Sequence, residues 1–339
     1  MTFAEPSETR TGVVRLPDPG DAVPEDTVVR DALRGTPPRL PPWLGYDAVG
    51  SRFFEQITEL PTYYLTRVER GLLEHHAQEI AAALGCGRIA ELGSGSAKKT
   101  RLLLENRVRL RPTTYLPIDV DEGMLRSSAA TLRSELDGLA VTGLWGRYEA
   151  GLEWLRTRPG EPLSVVFLGS SFGNATREER DGLTGEIARC LRPGESFLVS
   201  VDLDKGGEAL ETCYNDPPGH SAFADFRLNY LTRLNERYGA DFVLDDFVPE
   251  AWYNPETSTV EGRLRARADR TVHVPGLGIT LDLPRGRFVN VGYSVKFDER
   301  GLADEVGAHG FTPRAQWVDS EAGYGLFLFR REEIHREET

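Results

Sequence analysis

The chain has little of what builds a cross-linked or metal-bound protein. Its three cysteines, Cys86, Cys190 and Cys213, are widely spaced and form no C-x-x-C pair, which indicates neither a disulfide framework nor a zinc site. Six histidines give no H-E-x-x-H pattern. The adjacent His75 and His76 would point to different sides of a helix, so no metal ligands are expected. Basic charge is in deficit: 40 Lys and Arg against 53 Asp and Glu leave a net charge of −13. A general nucleic-acid or acidic-membrane binder needs the opposite footprint. With no long apolar span and no signal peptide, a soluble cytoplasmic protein is expected. At 339 residues the chain can bury a large core and hold two domains.

What is present centres on residues 86–123. Arg88-Ile89-Ala90-Glu91-Leu92 reads as a short buried strand, and Gly93-Ser94-Gly95 follows at once. Ala97 to Asn106 then reads as a helix, with Leu102, Leu103 and Leu104 on its apolar side. Strand, glycine turn and helix form the nucleotide-binding half of a doubly wound α/β sheet, where ligands bind beyond the carboxyl ends of the strands. The next strand, Thr114 to Ile118, ends in Asp119, the right distance downstream for an acid that holds a ribose diol. A dinucleotide fingerprint would place a third glycine where Lys98 stands. E-L-G-S-G-S is instead the form found in S-adenosylmethionine-dependent methyltransferases.

The alternation continues through a helix at Glu122–Leu136 and a strand at Ala140–Leu144 that runs into Arg147-Tyr148. A buried strand at Val165–Leu168 is bounded by small polar residues and Asn174. A helix at Arg177–Leu191 and a strand at Ser196–Val201, ending at Asp202, follow. This predicts a parallel sheet with right-handed crossovers. From 205 to 294 the pattern changes to helices Glu208–Tyr214 and Ala222–Tyr238 and strand-like pieces Val260–Ala268, Thr271–Val274 and Ile279–Leu283. The sheet is expected to resume with Val295–Phe297, a helix Glu299–Ala308 and a terminal strand Gly325–Phe329.

The fold class expected is therefore α/β, a Rossmann-like methyltransferase domain over 68–204 and 295–331. A second α+β domain, for substrate, comes from 25–67 and the late insertion 205–294. Residues 1–24 are expected to be disordered and 332–339 to be a fraying tail. Tyr46, Tyr63 and Tyr64, crowded ahead of the nucleotide-binding strand, suit a lid or pocket wall.

Four separated stretches carry a resemblance. They are Tyr46-Asp47-Ala48-Val49-Gly50-Ser51, Leu60-Pro61-Thr62-Tyr63-Tyr64, Glu91-Leu92-Gly93-Ser94-Gly95 and Phe167-Leu168-Gly169-Ser170-Ser171-Phe172-Gly173-Asn174. Together they resemble the histidine-specific Nα-methyltransferase family of ergothioneine biosynthesis, whose wider membership includes relatives acting on tryptophan derivatives. The resemblance runs from about residue 27 to residue 330. It implies S-adenosylmethionine along Gly93, Ser94, Gly95 and Asp119, with Lys99 just behind and Arg147 and Tyr148 near the adenine. It implies that Asn174 and Tyr214 grip an amino-acid carboxylate, that Tyr46 faces the α-amino group and that Tyr63 lines the cleft.

Three departures from the family pattern stand out. Where the family has a Glu two residues before a Ser, and the pair clamps an imidazole, this chain has Gly292 and Ser294. Where the histidine enzymes set a Met against the ring, it has Gly262. Losing two large side chains should admit a bigger ring, unless Arg263 or Tyr293 fills the gap. Arg147 cannot accept a hydrogen bond from the adenine amino group, which leaves adenine to backbone or to the ring of Tyr148.

The expected activity is Nα-methylation of a free amino acid with a large aromatic side chain, tryptophan or a substituted indole first. The implied reaction is an in-line displacement governed by positioning. Tyr46 would orient the neutral amine, and no base is evident. Histidine is the runner-up substrate, and a non-catalytic cofactor-binding scaffold is the alternative from another class. A monomer without nucleic-acid or membrane partners is expected.

Overall fold

A computed structural model describes residues 12–17, 23–85 and 87–333. The chain enters with a short strand, β1 (Val13–Arg15), and three helices, α1 (Glu25–Arg34), α2 (Ala48–Glu59) and α3 (Leu65–Leu84). Alternation follows: β2 (Arg88–Leu92), α4 (Lys98–Leu110), β3 (Thr113–Asp119), α5 (Glu122–Glu135), the short pair β4 (Leu139–Val141) and β5 (Gly143–Trp145), α6 (Tyr148–Arg156), β6 (Leu163–Phe167), α7 (Arg177–Cys190) and β7 (Ser196–Asp202). Helices α8 (Gly207–Tyr214) and α9 (Ala222–Tyr238) lead to β8 (Phe247–Asn254), β9 (Thr259–Ala266), β10 (Arg270–Val274), β11 (Ile279–Leu283) and β12 (Phe288–Val295). The chain closes with α10 (Glu299–Gly307), β13 (Phe311–Asp319) and β14 (Tyr324–Arg331).

β6 and β7 are buried along their whole length, which is why they read as continuous apolar runs: helices cover both faces of a parallel sheet. The nine-stranded sheet has the order β1-β5-β3-β2-β6-β7-β14-β13, with β4 beside β3. Every pairing is parallel except those of β14 with β7 and β13. Strand order reverses between β2 and β6, so the turns after these two strands meet at the topological switch point. Side chains of Asp47, Asp121, Thr176 and Asp298 cap α2, α5, α7 and α10 by accepting backbone N–H groups.

Residues of α1 and α9 share a separate apolar core with the antiparallel strands, including Val29, Leu33, Tyr230, Leu234, Leu264 and Val289. The chain leaves the large sheet at Leu203 and returns at Phe297, and these two residues form a parallel bridge. Asp204 N–H donates to the Phe297 carbonyl at 2.9 Å.

Several expectations are corrected. Residues 295–297 do not resume the parallel sheet. Phe288–Val295 is the outer strand of a three-stranded antiparallel sheet, β12-β9-β8. The stretch expected as one strand at 140–144 is two, because β4 and β5 each pair with a different part of β3. The disorder expected over 1–24 falls mostly outside the described residues, yet Val13–Arg15 pairs in register with Gly143–Trp145 as an edge strand. The terminal strand expected at Gly325–Phe329 runs over Tyr324–Arg331, and residues 334–339 lie outside those described. No helix among the described residues is long and apolar enough to cross a membrane.

Candidate functional site

The turn after β2 is built by its glycines. Gly93 and Gly95 have φ of 68° and 50°, a left-handed backbone that other residues resist. A Cβ at Gly93 would lie 2.7 Å from the Tyr148 hydroxyl, whereas one at Gly95 would meet nothing within 4 Å. Asp119 Oδ2 accepts the Gly95 N–H at 2.8 Å, and its Oδ1 accepts the Asp121 N–H at 2.9 Å. The hydroxyl of Ser94 is buried without a hydrogen-bond partner, a state native folds avoid unless a ligand or water completes it. An open cradle, an orphaned hydroxyl and a carboxylate suit a ligand carrying a diol and an amino-acid moiety.

Lys99 is held by an ion pair with Glu69 of α3. Glu69 is fully buried and also accepts from the Gly169 N–H at 2.6 Å and the Tyr324 hydroxyl at 3.0 Å. Desolvation pushes its carboxyl up, but the Lys99 charge and these donors outweigh it and hold the group below its ordinary range. Glu69 thereby ties the turn after β6 to the turn after β2, a role the sequence reading did not anticipate. Arg147 directs its guanidinium to Glu25 of α1, 3.8 Å away. Tyr148 packs edge-on to Phe167, ring centroids 5.5 Å apart.

The Tyr46 segment is clasped to α9. Tyr230 donates to the Pro42 carbonyl at 3.0 Å, and the Asn229 amide donates to Asp47 Oδ1 at 2.8 Å and to the Gly45 carbonyl at 3.3 Å. This approach demands glycine: a Cβ at Gly45 would sit 2.2 Å from the Tyr230 ring, and one at Gly50 would sit 1.7 Å from the Gly45 carbonyl oxygen. Tyr46 lies edge-on to Phe54 and Phe226, with centroids 5.5 and 5.1 Å away. Its side chain remains 42% exposed, yet desolvation by the surrounding protein pushes its phenol well up. Both follow from a side chain lining an open cleft, and the phenol stays protonated at neutral pH.

Tyr63 is buried edge-on against Tyr214 and Phe223, centroids 5.9 and 5.8 Å away. Tyr64 donates to Asp202 at 2.8 Å. Tyr214 ends α8, and its hydroxyl lies 3.2 Å from Ser294 Oγ. Lys296, two residues beyond Ser294 on the same face, donates to Tyr214 at 2.7 Å and to Ser294 at 3.0 Å, and pairs with Asp202 at 2.8 Å. A charged residue alternating with Gly292 and Ser294 was the available signal for Lys296. The 3₁₀ turn Ser171–Asn174 packs on β12, where a Cβ at Gly173 would lie 2.7 Å from the Val295 carbonyl oxygen. Asn174, at its end, is exposed, and its amide has no hydrogen bond among the described residues.

Gly262 and Gly292 are direct cross-strand partners, with Ala251 of β8 on the other side of Gly262. A Cβ at Gly292 would meet only Gly262 backbone, at 3.4 Å, so the space in front of it is open. A Cβ at Gly262 would lie 3.3 Å from Arg227 Nε. Neither Arg263 nor Tyr293 fills the gap, because neighbours along a strand face the opposite side. Arg263 stacks on Trp252 and Phe288 at 3.8 and 4.1 Å, and Tyr293 lies under Arg39 at 4.2 Å. Arg227 belongs to none of the motifs in the sequence. An arginine at the helical spacing of Phe223, Tyr230 and Leu234 was its signal. No cluster of three or more His, Cys, Asp or Glu among the described residues could hold a metal.

Over residues 25–331 the chain matches the family described as histidine-specific, S-adenosylmethionine-dependent methyltransferases. It is 38% identical over 303 residues to a histidine N-alpha-methyltransferase of Mycolicibacterium smegmatis, covering 88% of this chain and 92% of that one. To the enzyme of the same name from Mycobacterium tuberculosis it is 36% identical over 303 residues, with the same coverage of 88% and 92%. To an L-tryptophan methyltransferase of Psilocybe serbica it is 24% identical over 319 residues, covering 86% and 88%.

Proposed function

From the premise that the chain belongs to the family of histidine-specific, S-adenosylmethionine-dependent methyltransferases, we propose that it methylates the α-amino nitrogen of a free amino acid with a large aromatic side chain, tryptophan or a substituted indole first. When bound, S-adenosylmethionine supplies an electrophilic methyl group on a sulfonium centre. Gly93, Ser94, Gly95 and Asp119 hold it, Lys99 fixes the helix behind, and Tyr148 walls the adenine side, with Arg147 at its edge. Residues 25–67 and 205–294 form the substrate-binding unit.

Tyr214 and Asn174 donate to the substrate carboxylate. Because Lys296 already donates to the Tyr214 oxygen, the phenol proton is left to point at an acceptor. Tyr46, kept neutral by its surroundings, orients the amine, and Tyr63 closes the wall. The amine sheds its proton to water before it reacts, so positioning supplies most of the rate.

The observation that carries the substrate reading is the opposed pair Gly262 and Gly292, with open space before Gly292. Incubation with S-adenosylmethionine and each of the twenty amino acids, followed by product mass, tests it. Tryptophan or tyrosine methylated ahead of histidine supports it. A second reading, histidine, is favoured by the retained Ser294 and by the relatives at 38% and 36% identity. Histidine as the sole product would establish that reading instead.

A further inference from the structure

We propose that Arg227 is a specificity-determining residue whose guanidinium receives an anionic oxygen, or a comparably strong acceptor, carried at the far end of the substrate's aromatic side chain. This rests on the reading above, in which that side chain enters the space before Gly262 and Gly292.

Arg227 is 4% exposed. A cation so deeply buried is costly unless it is paired and hydrogen-bonded. Among the described residues its one hydrogen bond runs from Nη2 to the Tyr214 carbonyl, and its guanidinium lies 5.0 Å over the Phe223 ring. Two carboxylates bear on it from a distance, Asp216 and Glu250. Both are engaged elsewhere: Asp216 accepts the N–H groups of Phe223 and Ala224 at 2.9 and 2.8 Å, and Glu250 pairs with Arg265 at 2.9 Å. Desolvation lowers the Arg227 pKa to about 10, which still leaves it charged at neutral pH.

Of the uncommitted donors, Nε borders the substrate space. Nε lies 3.3 Å from the point a Gly262 Cβ would occupy, and Gly292 opposite leaves that space open. Nε and Nη1 of this cation make no hydrogen bond among the described residues. An indole offers one N–H donor and no acceptor, so it leaves both unmet. A carboxylate accepts a charge-assisted hydrogen bond from such an N–H. The best-matched substrate class is an amino acid whose ring carries an acidic group.

The test compares 4-carboxy-L-phenylalanine with L-phenylalanine. Initial rates with S-adenosylmethionine give kcat/KM, and calorimetry on the enzyme saturated with S-adenosylhomocysteine gives Kd. The wild type should favour the carboxylated probe by about tenfold or more in both readouts. In Arg227→Met the ratio should fall to within about twofold of one, and in Arg227→Lys, which keeps the charge but loses the planar fork, it should be intermediate. Equal affinity for the two probes in the wild type, or a preference that survives in Arg227→Met, overturns the proposal. Should Arg227→Met fail to fold, an undiminished preference in Arg227→Lys overturns it equally. If neither probe is methylated, the methyltransfer reading of these substrates fails, while the binding ratio in the S-adenosylhomocysteine complex still decides the role of Arg227.

Discussion

The ammonium of Lys296 lies 2.7 Å from the Tyr214 hydroxyl and 2.8 Å from Asp202 Oδ2, with both charged side chains fully shielded from solvent. A lysine at the end of the antiparallel sheet thus joins Lys205 in neutralising an aspartate at the end of the parallel one, and orients a phenol between them. Asp202 keeps the Lys205 ammonium and the Tyr64 hydroxyl, so Lys296→Met should destabilise the protein by about 1–3 kcal/mol, the loss of one buried charge-assisted contact; urea unfolding measures this. Tyr214→Phe, which keeps the ring, should cost far less stability and raise the amino-acid KM about tenfold.

Tyr46→Phe keeps the aromatic contacts with Phe54 and Phe226 and removes the hydroxyl. Turnover should fall by about 10- to 100-fold, with the Kd for S-adenosylmethionine within about twofold of wild type. Equal losses in rate and in cofactor binding, read by initial rates and calorimetry, would remove Tyr46 from its role at the amine.

Gly50→Ala sets a methyl group 1.7 Å from the Gly45 carbonyl oxygen. Backbone must shift, at a cost of about 1–3 kcal/mol or more, and the segment that carries Tyr46 moves with it. The melting temperature should fall and the amino-acid KM rise, while cofactor affinity is retained.

Glu91 is 3% exposed, and desolvation pushes its carboxyl up to about 7 despite hydrogen bonds from Thr100 and Tyr115. The folded state keeps a proton that the unfolded chain, near its ordinary 4.5, releases. The contribution is therefore fully present below pH 4.5 and lost as pH rises through 7, a decline of ~3 kcal/mol. Glu91→Gln should abolish this decline and gain on the wild type as pH rises. Urea titrations at about pH 5 and 8 check the sign.

Gly292→Glu returns a carboxylate to the open space beside Ser294. The ratio of histidine to tryptophan kcat/KM should rise by at least about tenfold. An unchanged ratio would separate that space from the substrate side chain.

Much of the large sheet was legible because its signals are local: a glycine turn directly after an apolar run, and strands buried on both faces. Among the strands missed, β8 and β13 carry Pro249 and Pro313. Proline argues against a strand unless the strand lies at an edge, and each of these ends its sheet. Val295–Phe297 misled because its apolar residues are real but belong partly to β12 and partly to the crossing back to Leu203. At the site, Gly262 and Gly292 were visible as departures from a pattern. That they face each other depends on register, which no single stretch encodes. Arg227 was hidden on an apolar helical stripe, and Glu69 acts across 100 residues of chain on Gly169.

The bridge between Leu203 and Phe297 sets the exit and return of the intervening chain side by side. Under the proposed function, the wall that meets the acceptor's side chain therefore hangs from the large sheet by two adjoining stretches of chain. The Lys296–Asp202 pair fastens that wall to the end of β7 at the same place, so a change there is felt at the methyl-donor side and the acceptor side together.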